Sequence, residues 1–305
     1  MSLTDQSSLD AALANRTLIE PGVAKAKAIA ALSDLPPFPI VLNKLLASLA
    51  EEDVPFAKIG DLIEKDTVIS GNVLRMVNSA LYARRGTVNS VRHALSLIGV
   101  EKVRNVVLGM SITRLWSKIK TPSSWSTARF NKHSAEVAAL SDCLAQRLPV
   151  NYGEGAFVAG LLHDVGRLLI ALSLTPQHDA IVDLHQRTGR PICDCESELL
   201  GFAHGELSAE ALISWNLPTP ICIAVLYHHE PSADTREIGA GEVRLSRIVS
   251  VADQYVNSTG ESILPRPSAG GDPALIESLG LNSEQVEALL DEFNTEREVM
   301  SEFFR

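Results

Sequence analysis

Residues 156–170, Ala-Phe-Val-Ala-Gly-Leu-Leu-His-Asp-Val-Gly-Arg-Leu-Leu-Ile, set His163 and Asp164 side by side in an otherwise apolar run, with Arg167 one turn later. Phe157, Leu161 and Leu168 recur at helical spacing, which predicts an amphipathic or fully buried helix. A carboxylate buried in such a helix is costly unless it is paired or bound to a metal. Adjacent helical residues point about 100° apart, so His163 and Asp164 could grip one ion only from its two flanks. His163 and Arg167 stand at i, i+4 and share a face, so a ligand beside that ion would meet a guanidinium. Alone, the pair points more to a capped or hydrogen-bonded structural role than to a metal site, and the rest of the chain has to decide.

Working outward, the pattern stays helical. Upstream, Leu35-Pro-Pro-Phe-Pro39 forbids a continuous helix and marks the start of the folded body. Before it, residues 1–34 form a polar extension. Its first twenty residues are expected to pack loosely, and Val23–Leu32 reads as a short helix. Further helices are predicted from Ile40 to about Glu51-Glu52-Asp53, over Phe56–Glu64, and from an Asp66 N-cap to Ser79. Others follow over Ser90–Ile98, closed by Gly99, and over Glu101–Trp116. Polar residues 117–126, with Pro122, are the expected junction between helical subdomains 35–120 and 121–258. Beyond it lie predicted helices over Phe130–Leu148, from 156 to just before Thr175, over His178–Arg187 and over Glu196–Trp215. The next opens with Thr219 as N-cap and Pro220 at N1 and ends at His228-His229. Val243–Asn257 is the last before residues 259–305, a Pro/Gly-rich loop (Pro265–Asp272) and a terminal helix, Ser283–Phe304. Val286, Leu289, Leu290 and Phe293 share one face of that helix, which favours packing within the chain over a dimer seam. No useful period-two run appears, so the predicted fold class is all-α, with two packed helical subdomains.

A chain of 305 residues can bury a large core, and 46% hydrophobic with 21% charged residues argues for a globular protein. No apolar run is expected to approach the roughly 20 residues that span a bilayer. The N-terminus, Met-Ser-Leu-Thr-Asp-Gln, lacks the basic and apolar regions of a signal peptide. The expectation is a cytoplasmic protein with no membrane partner. Cys143, Cys193, Cys195 and Cys222 form no disulfide pattern, and Cys193-x-Cys195 is too isolated for a zinc knuckle. They read as buried or idle thiols. A net charge of −10 argues against general nucleic-acid binding. Residues 75–132 nonetheless hold eleven Lys or Arg and one acid, so that stretch is +10 and the remainder −20. It is expected to dock on the acidic rest of the chain, in part facing the other subdomain, rather than to recruit an anionic partner.

His133, His163-Asp164, His204, His228-His229 and Asp253 all sit in predicted helices, or at their ends, that are otherwise rich in Leu, Ala, Val or Ile. One core histidine is ordinarily a satisfied polar group. Several, with two core carboxylates, point to a site. Imidazole with carboxylate suits Fe, Mn, Zn, Ni or Co, and the lack of thiolate argues against a structural zinc site.

These residues resemble the H…HD…D pattern of the HD superfamily of metal-dependent phosphohydrolases, with His133, His163, Asp164 and Asp253 in the four positions. The closer resemblance is to its HDOD branch. It is carried by Leu35-Pro-Pro-Phe-Pro39, by Asp66 followed by Val73-Leu-Arg-Met-Val-Asn-Ser79, by His93-Ala-Leu-Ser-Leu-Ile-Gly99 and by Gly160-Leu-Leu-His-Asp-Val-Gly-Arg167. The resemblance implies an HDOD domain over 35–258, with an HD-like C-terminal subdomain. It also implies a role in bacterial signalling, in which most members have no established activity, and a protein partner or a nucleotide-type ligand. The related HD-GYP branch hydrolyses cyclic di-GMP at a bimetal site. By that similarity Asp164 would bridge two ions. His133, His163 and Asp253 would complete one, and His204, His228 and His229 the other. Asp164 and Arg167 would carry any catalysis, Arg167 standing where HD-GYP proteins place a lysine. The Gly-Tyr-Pro signature is absent, since Pro-Ser-Ala-Asp-Thr follows His229-Glu230, which argues against cyclic di-GMP hydrolysis. The expectation is a ligand- or partner-binding signalling module holding one or two divalent transition-metal ions (Fe, Mn, Ni or Zn). The alternative is a metal-dependent phosphohydrolase acting on a nucleotide or cyclic nucleotide.

Overall fold

A computed structural model describes residues 20–36, 38–50, 56–79, 87–265, 267–268 and 270–303. The expectations for residues 1–19, for Pro37, for the Glu51-Glu52-Asp53 stop and for Arg84 and Arg85 lie outside them. Among the described residues the chain is helical. Its single departure toward sheet is an isolated parallel bridge between Val150 and Val243.

The first helices form where the sequence supplies caps and an apolar face. Helix α1 (Pro21–Ala30) lays Ala24 and Ala28 on a small second core with Ile170, Leu174, Phe202 and Leu207. Helices α2 (Ile40–Ala47), α3 (Phe56–Glu64), α4 (Thr67–Val77), α5 (Val91–Ile98) and α6 (Val100–Trp116) pack on one another. Asp66 Oδ1 accepts from the Val68 and Ile69 amides at 2.9 and 3.0 Å, a cap that stabilises α4 by about 1 kcal/mol. Ser90 caps α5 in the same way, and Gly99, at φ +86°, turns the chain into α6. Phe38, Trp116 and Trp215 form an aromatic cluster with ring centroids 4.7 to 6.4 Å apart, tying the proline-rich lead-in to the ends of two helices.

The remaining helices ring the site. Helix α7 (Thr127–Ala145) packs on α8 (Ala156–Leu162) and on α14 (Leu245–Ser258). Helix α9 (Val165–Ser173) packs on α12 (His204–Ser214), α12 on α13 (Thr219–Leu226), and α13 on α14. Helices α10 (Thr175–Thr188) and α11 (Ile192–Leu200) flank this ring, and α15 (Pro273–Glu277) and α16 (Ser283–Phe303) follow it. One continuous apolar core runs from Ala31 to Met300, across the expected junction at 117–126. Val286, Leu289 and Phe293 of α16 are buried in it, so the terminal helix packs within the chain.

Five expectations are corrected. The predicted single helix through 156–170 breaks at His163-Asp164, because Asp164 leaves helical geometry at φ −102°, ψ 11°. The predicted helix 196–215 is two helices, since Gly201 adopts the left-handed conformation (φ +79°) and ends α11. Pro218, rather than Thr219, occupies the N-cap of α13, and Val243 belongs to the bridge rather than to α14. Finally, Gly153–Ser173 is long and apolar enough by composition to cross a bilayer, contrary to the sequence expectation, but nearly all of it lies inside the protein.

Part of the basic segment pairs with the C-terminal region. Lys102 meets Glu296, Lys132 lies 2.6 Å from Glu261, and Arg129 Nε donates to the Ser262 carbonyl at 2.9 Å. Arg92 pairs instead with Asp61 of α3 at 2.6 Å.

Candidate metal centre

Two glycines explain how separate helices reach one point. A Cβ on Gly160 would stand 2.8 Å from the Ala138 Cα and the Val137 carbonyl oxygen, so α8 touches α7 backbone to backbone. A Cβ on Gly166 would overlap the His204 carbonyl oxygen, so α9 meets the start of α12 just as closely, and the Gly166 amide donates to Ser208 Oγ at 2.8 Å. Between the two glycines sits the break that presents His163 and Asp164.

All seven side chains singled out in the sequence come together here, from α7 (His133), the α8–α9 break (His163, Asp164), the start of α12 (His204), the residues after α13 (His228, His229) and α14 (Asp253). The two oxygens of Asp164 face opposite ways. His163 Nε2 lies 3.5 Å and His133 Nε2 3.8 Å from Oδ2, and both imidazoles also face Asp253 Oδ1, at 3.7 and 3.1 Å. On the other side, His204 Nε2 lies 2.8 Å and His228 Nε2 3.8 Å from Oδ1, with His229 Nε2 3.0 Å from His204 Nε2.

Every buried imidazole is held by its other nitrogen. Nδ1 of His133 faces the Glu261 carbonyl at 2.8 Å, that of His163 the Gly160 carbonyl at 2.7 Å, and that of His228 the Val225 carbonyl at 2.5 Å. Nδ1 of His204 donates to Glu196 Oε2 at 2.6 Å, and the same oxygen accepts the His204 amide at 2.9 Å. A carbonyl or carboxylate fixes the proton on Nδ1, so a neutral ring turns a bare lone pair toward the centre. This is the arrangement that orients imidazole for a metal.

The donor set fits a divalent cation. His163 Nε2, His228 Nε2 and Asp164 Oδ1 are buried and have no hydrogen-bond partner in the chain. Each such atom costs roughly 1–3 kcal/mol if left unsatisfied. His204 Nε2, 2.8 Å from Asp164 Oδ1, donates to it when the ring is protonated and offers a lone pair to an ion when it is neutral.

The electrostatics favour ionised carboxylates. Burial alone would push Asp164 up, but His163, His204 and Arg167 hold it well below the usual carboxylate range. The same contest, won by His133 and His163, holds Asp253 down. Burial opposes protonation of His204, yet Glu196, Cys193 and Asp164 raise it well above its usual value, and Asp164 and Asp253 raise His163. Burial and the neighbouring rings drive His228 far down, keeping it neutral.

Arg167 turns its guanidinium to Asp164 Oδ2 at 3.3 Å. A cleft of about 470 Å³ opens onto the cluster, lined among others by Asp164, Arg167, Cys193, His229 and Asp253. Asn257 Nδ2 donates to Asp253 Oδ1 at 2.6 Å.

Two residues at the cluster were missed from the sequence. Glu196 is buried against His204, and Cys193, one turn earlier on α11, presents its thiol to His204 and His229. Burial raises that thiol, but the two imidazoles outweigh it and bring it below its usual value. The remaining cysteines, Cys143, Cys195 and Cys222, are buried in apolar cores, as expected of idle thiols. The signal for Glu196 and Cys193 was their i, i+3 spacing, which puts both on one helical face.

A helical ring closing on an H…HD…D cluster defines an HD-type protein. A model of the HDOD domain matches residues 35–231, and the chain belongs to the HDOD family. An uncharacterized protein of Treponema pallidum (strain Nichols) is 22% identical over 203 residues, which make up 65% of this chain and 38% of that protein. The chain therefore spans well under half the length of that relative. Among solved structures, an HDOD domain protein of unknown function from Geobacter sulfurreducens superposes with a TM-score of 0.70 at 23% identity, covering 92% of this chain and 93% of that one. A protein from Shewanella amazonensis SB2B, provisionally named a phosphohydrolase, gives 0.69 at 21% identity over 91% and 98%. One from Marinobacter aquaeolei VT8, provisionally named a signal transduction protein, gives 0.68 at 20% identity over 94% and 66%. At these identities the likeness is one of fold.

Proposed function

We propose that this HDOD protein is a cytoplasmic signalling module that binds divalent transition-metal ions at the His/Asp cluster and uses the loaded centre to hold a phosphate-bearing ligand of nucleotide type. The observation that carries this reading is the convergence of four imidazoles, each anchored through Nδ1, whose Nε2 atoms face two ionised carboxylates. In this reading His133, His163, Asp253 and Asp164 Oδ2 serve one ion, and His204, His228, His229 and Asp164 Oδ1 the other. Such donors suit Fe, Mn, Ni or Zn. Bound ions would supply Lewis acidity and, in a paired site, a water activated as nucleophile. The chain's own contribution is positional. Glu196 holds His204, Asn257 holds Asp253, and Arg167, on the cleft wall beside Asp164, is placed to clamp a phosphate oxygen. The division of the HDOD region into 35–120 and 121–258, with the first part relaying the state of the second to a protein partner, belongs to the same proposal.

One observation favours hydrolysis as a second reading: the cleft brings Asp164 and Arg167, the pair expected to carry catalysis, to one accessible wall. The deciding experiment loads the full chain with Mn²⁺ or Fe²⁺. Calorimetry then follows binding of a panel of nucleotides and cyclic nucleotides, beside hydrolysis of a generic phosphodiester. Metal-dependent binding that Arg167→Ala weakens by about tenfold or more, without turnover, is expected. Turnover that vanishes in folded Asp164→Asn would replace the module by a phosphohydrolase. Binding indifferent to metal would end both readings.

A further inference from the structure

The cysteine on α11 stands apart from the other three. Cys143, Cys195 and Cys222 pack among apolar side chains, as buried thiols ordinarily do. Cys193 is half-buried, lines the cleft beside Asp164 and His229, and turns its thiol to two imidazoles. Pro191 at the N-cap starts α11 so that Cys193 and Glu196, three residues apart, face His204 together. The Cys193 Sγ, a Glu196 carboxylate oxygen and a His204 ring nitrogen lie within 4.8 Å of one another. A second observation points into the same space. His228 Nε2, fully buried, has no hydrogen-bond partner and belongs with Asp164, His204 and His229 to a group whose donor atoms also lie within 4.8 Å of one another.

We infer that Cys193 Sγ is a further ligand of the ion held by His204 and His229, so that the outer half of the centre takes nitrogen, oxygen and sulfur donors. This rests on the reading of the cluster as a metal centre. The ligand is the thiolate, its proton passing to solvent as the sulfur–metal bond forms. Such a bond is about 2.3 Å long for zinc, within reach of a thiol on the first turn of a helix that already touches His204. Sulfur biases the outer position toward Zn, Co or Fe and away from Mn or Mg, while the inner position, all nitrogen and oxygen, carries no such bias.

The test uses the full chain loaded with Co²⁺, with cobalt counted by elemental analysis and thiolate-to-cobalt charge transfer read in the near ultraviolet. Two bound ions and a charge-transfer band are expected. The band should disappear in Cys193→Ser, whose outer ion binds about tenfold or more weakly, and survive in Cys195→Ser. In a parallel measurement on the unmutated chain, Zn²⁺ should slow alkylation of Cys193 at least tenfold, as read on its peptide by mass spectrometry. Bound cobalt without a band, and Cys193 alkylated equally fast with and without Zn²⁺, would overturn the sulfur ligand and leave the metal centre standing. No bound cobalt at all would overturn the metal centre and this inference with it.

Discussion

The two halves of the His/Asp cluster share one carboxylate and differ in exposure and in the anchor of one ring, although His228 on the Oδ1 side is buried and rests on a main-chain carbonyl like the rings of the other half. On the Asp164 Oδ2 side, His133, His163 and Asp253 are all buried, and the two imidazoles are anchored by main-chain carbonyls. On the Oδ1 side, His229 is exposed, Cys193 reaches the cleft, and His204 is anchored by the carboxylate of Glu196. A main-chain carbonyl cannot be mutated away. A carboxylate anchor adds negative charge and can be removed. If the cluster holds ions as proposed, the inner half would keep its ion, and the outer half would exchange one and meet the ligand.

The largest effect should come from the group the halves share. Asp164→Asn is expected to cost both ions more than about 100-fold in affinity, beyond the usual loss from an outer-shell change. Elemental analysis finding both ions retained would show that the halves are independent. Next, His163→Ala should remove the inner ion and His228→Ala the outer one, each leaving a single equivalent. Equal loss in both variants would make the cluster one indivisible site. Glu196→Gln should weaken only the outer ion, by about 10–100-fold, measured by competition with a chelator. Gly160→Ala, which drives a methyl into the α7 backbone, should destabilise the fold by about 1–3 kcal/mol, seen as a melting temperature several degrees lower. The smallest effect is a pH slope. His163 and His204 titrate above 6.5 in the fold, so without metal their stabilising contribution is complete below 6.5 and fades as pH rises through their raised values. A bound ion replaces those protons, so the thermal stabilisation that metal confers should grow with pH above 6.5, by up to about 1.4 kcal/mol per pH unit per proton displaced. A flat profile would mean that neither ring is protonated without metal.

Much of this was legible in the sequence. Helical periodicity predicts the α-class, the Asp66 cap marks one helix start, and the polar residues in apolar runs mark the seven side chains that meet. What stayed hidden concerns backbone direction. Apolar periodicity continues through His163-Asp164 and through Gly201, so it cannot show that the chain turns there, and those turns present Asp164 and place His204 at a helix start. Gly160 and Gly166 read as spacing residues until their neighbours are known. Glu196 and Cys193 lie in an ordinary-looking acidic stretch, and their relation to His204 depends on the Gly201 turn that the helix pattern did not reveal.

The carbonyl of Glu261 that steadies His133 lies past the end of the matched family segment at residue 231, as does Asp253. The segment that the family match outlines and the set of residues that builds the cluster therefore have different borders. Lys132 and Arg297 both engage the Glu261 side chain, which couples the C-terminal helix mechanically to an imidazole of the inner half. A tug on that last helix, by a neighbour or by an appended segment, would be felt first as a loosened ring in the interior.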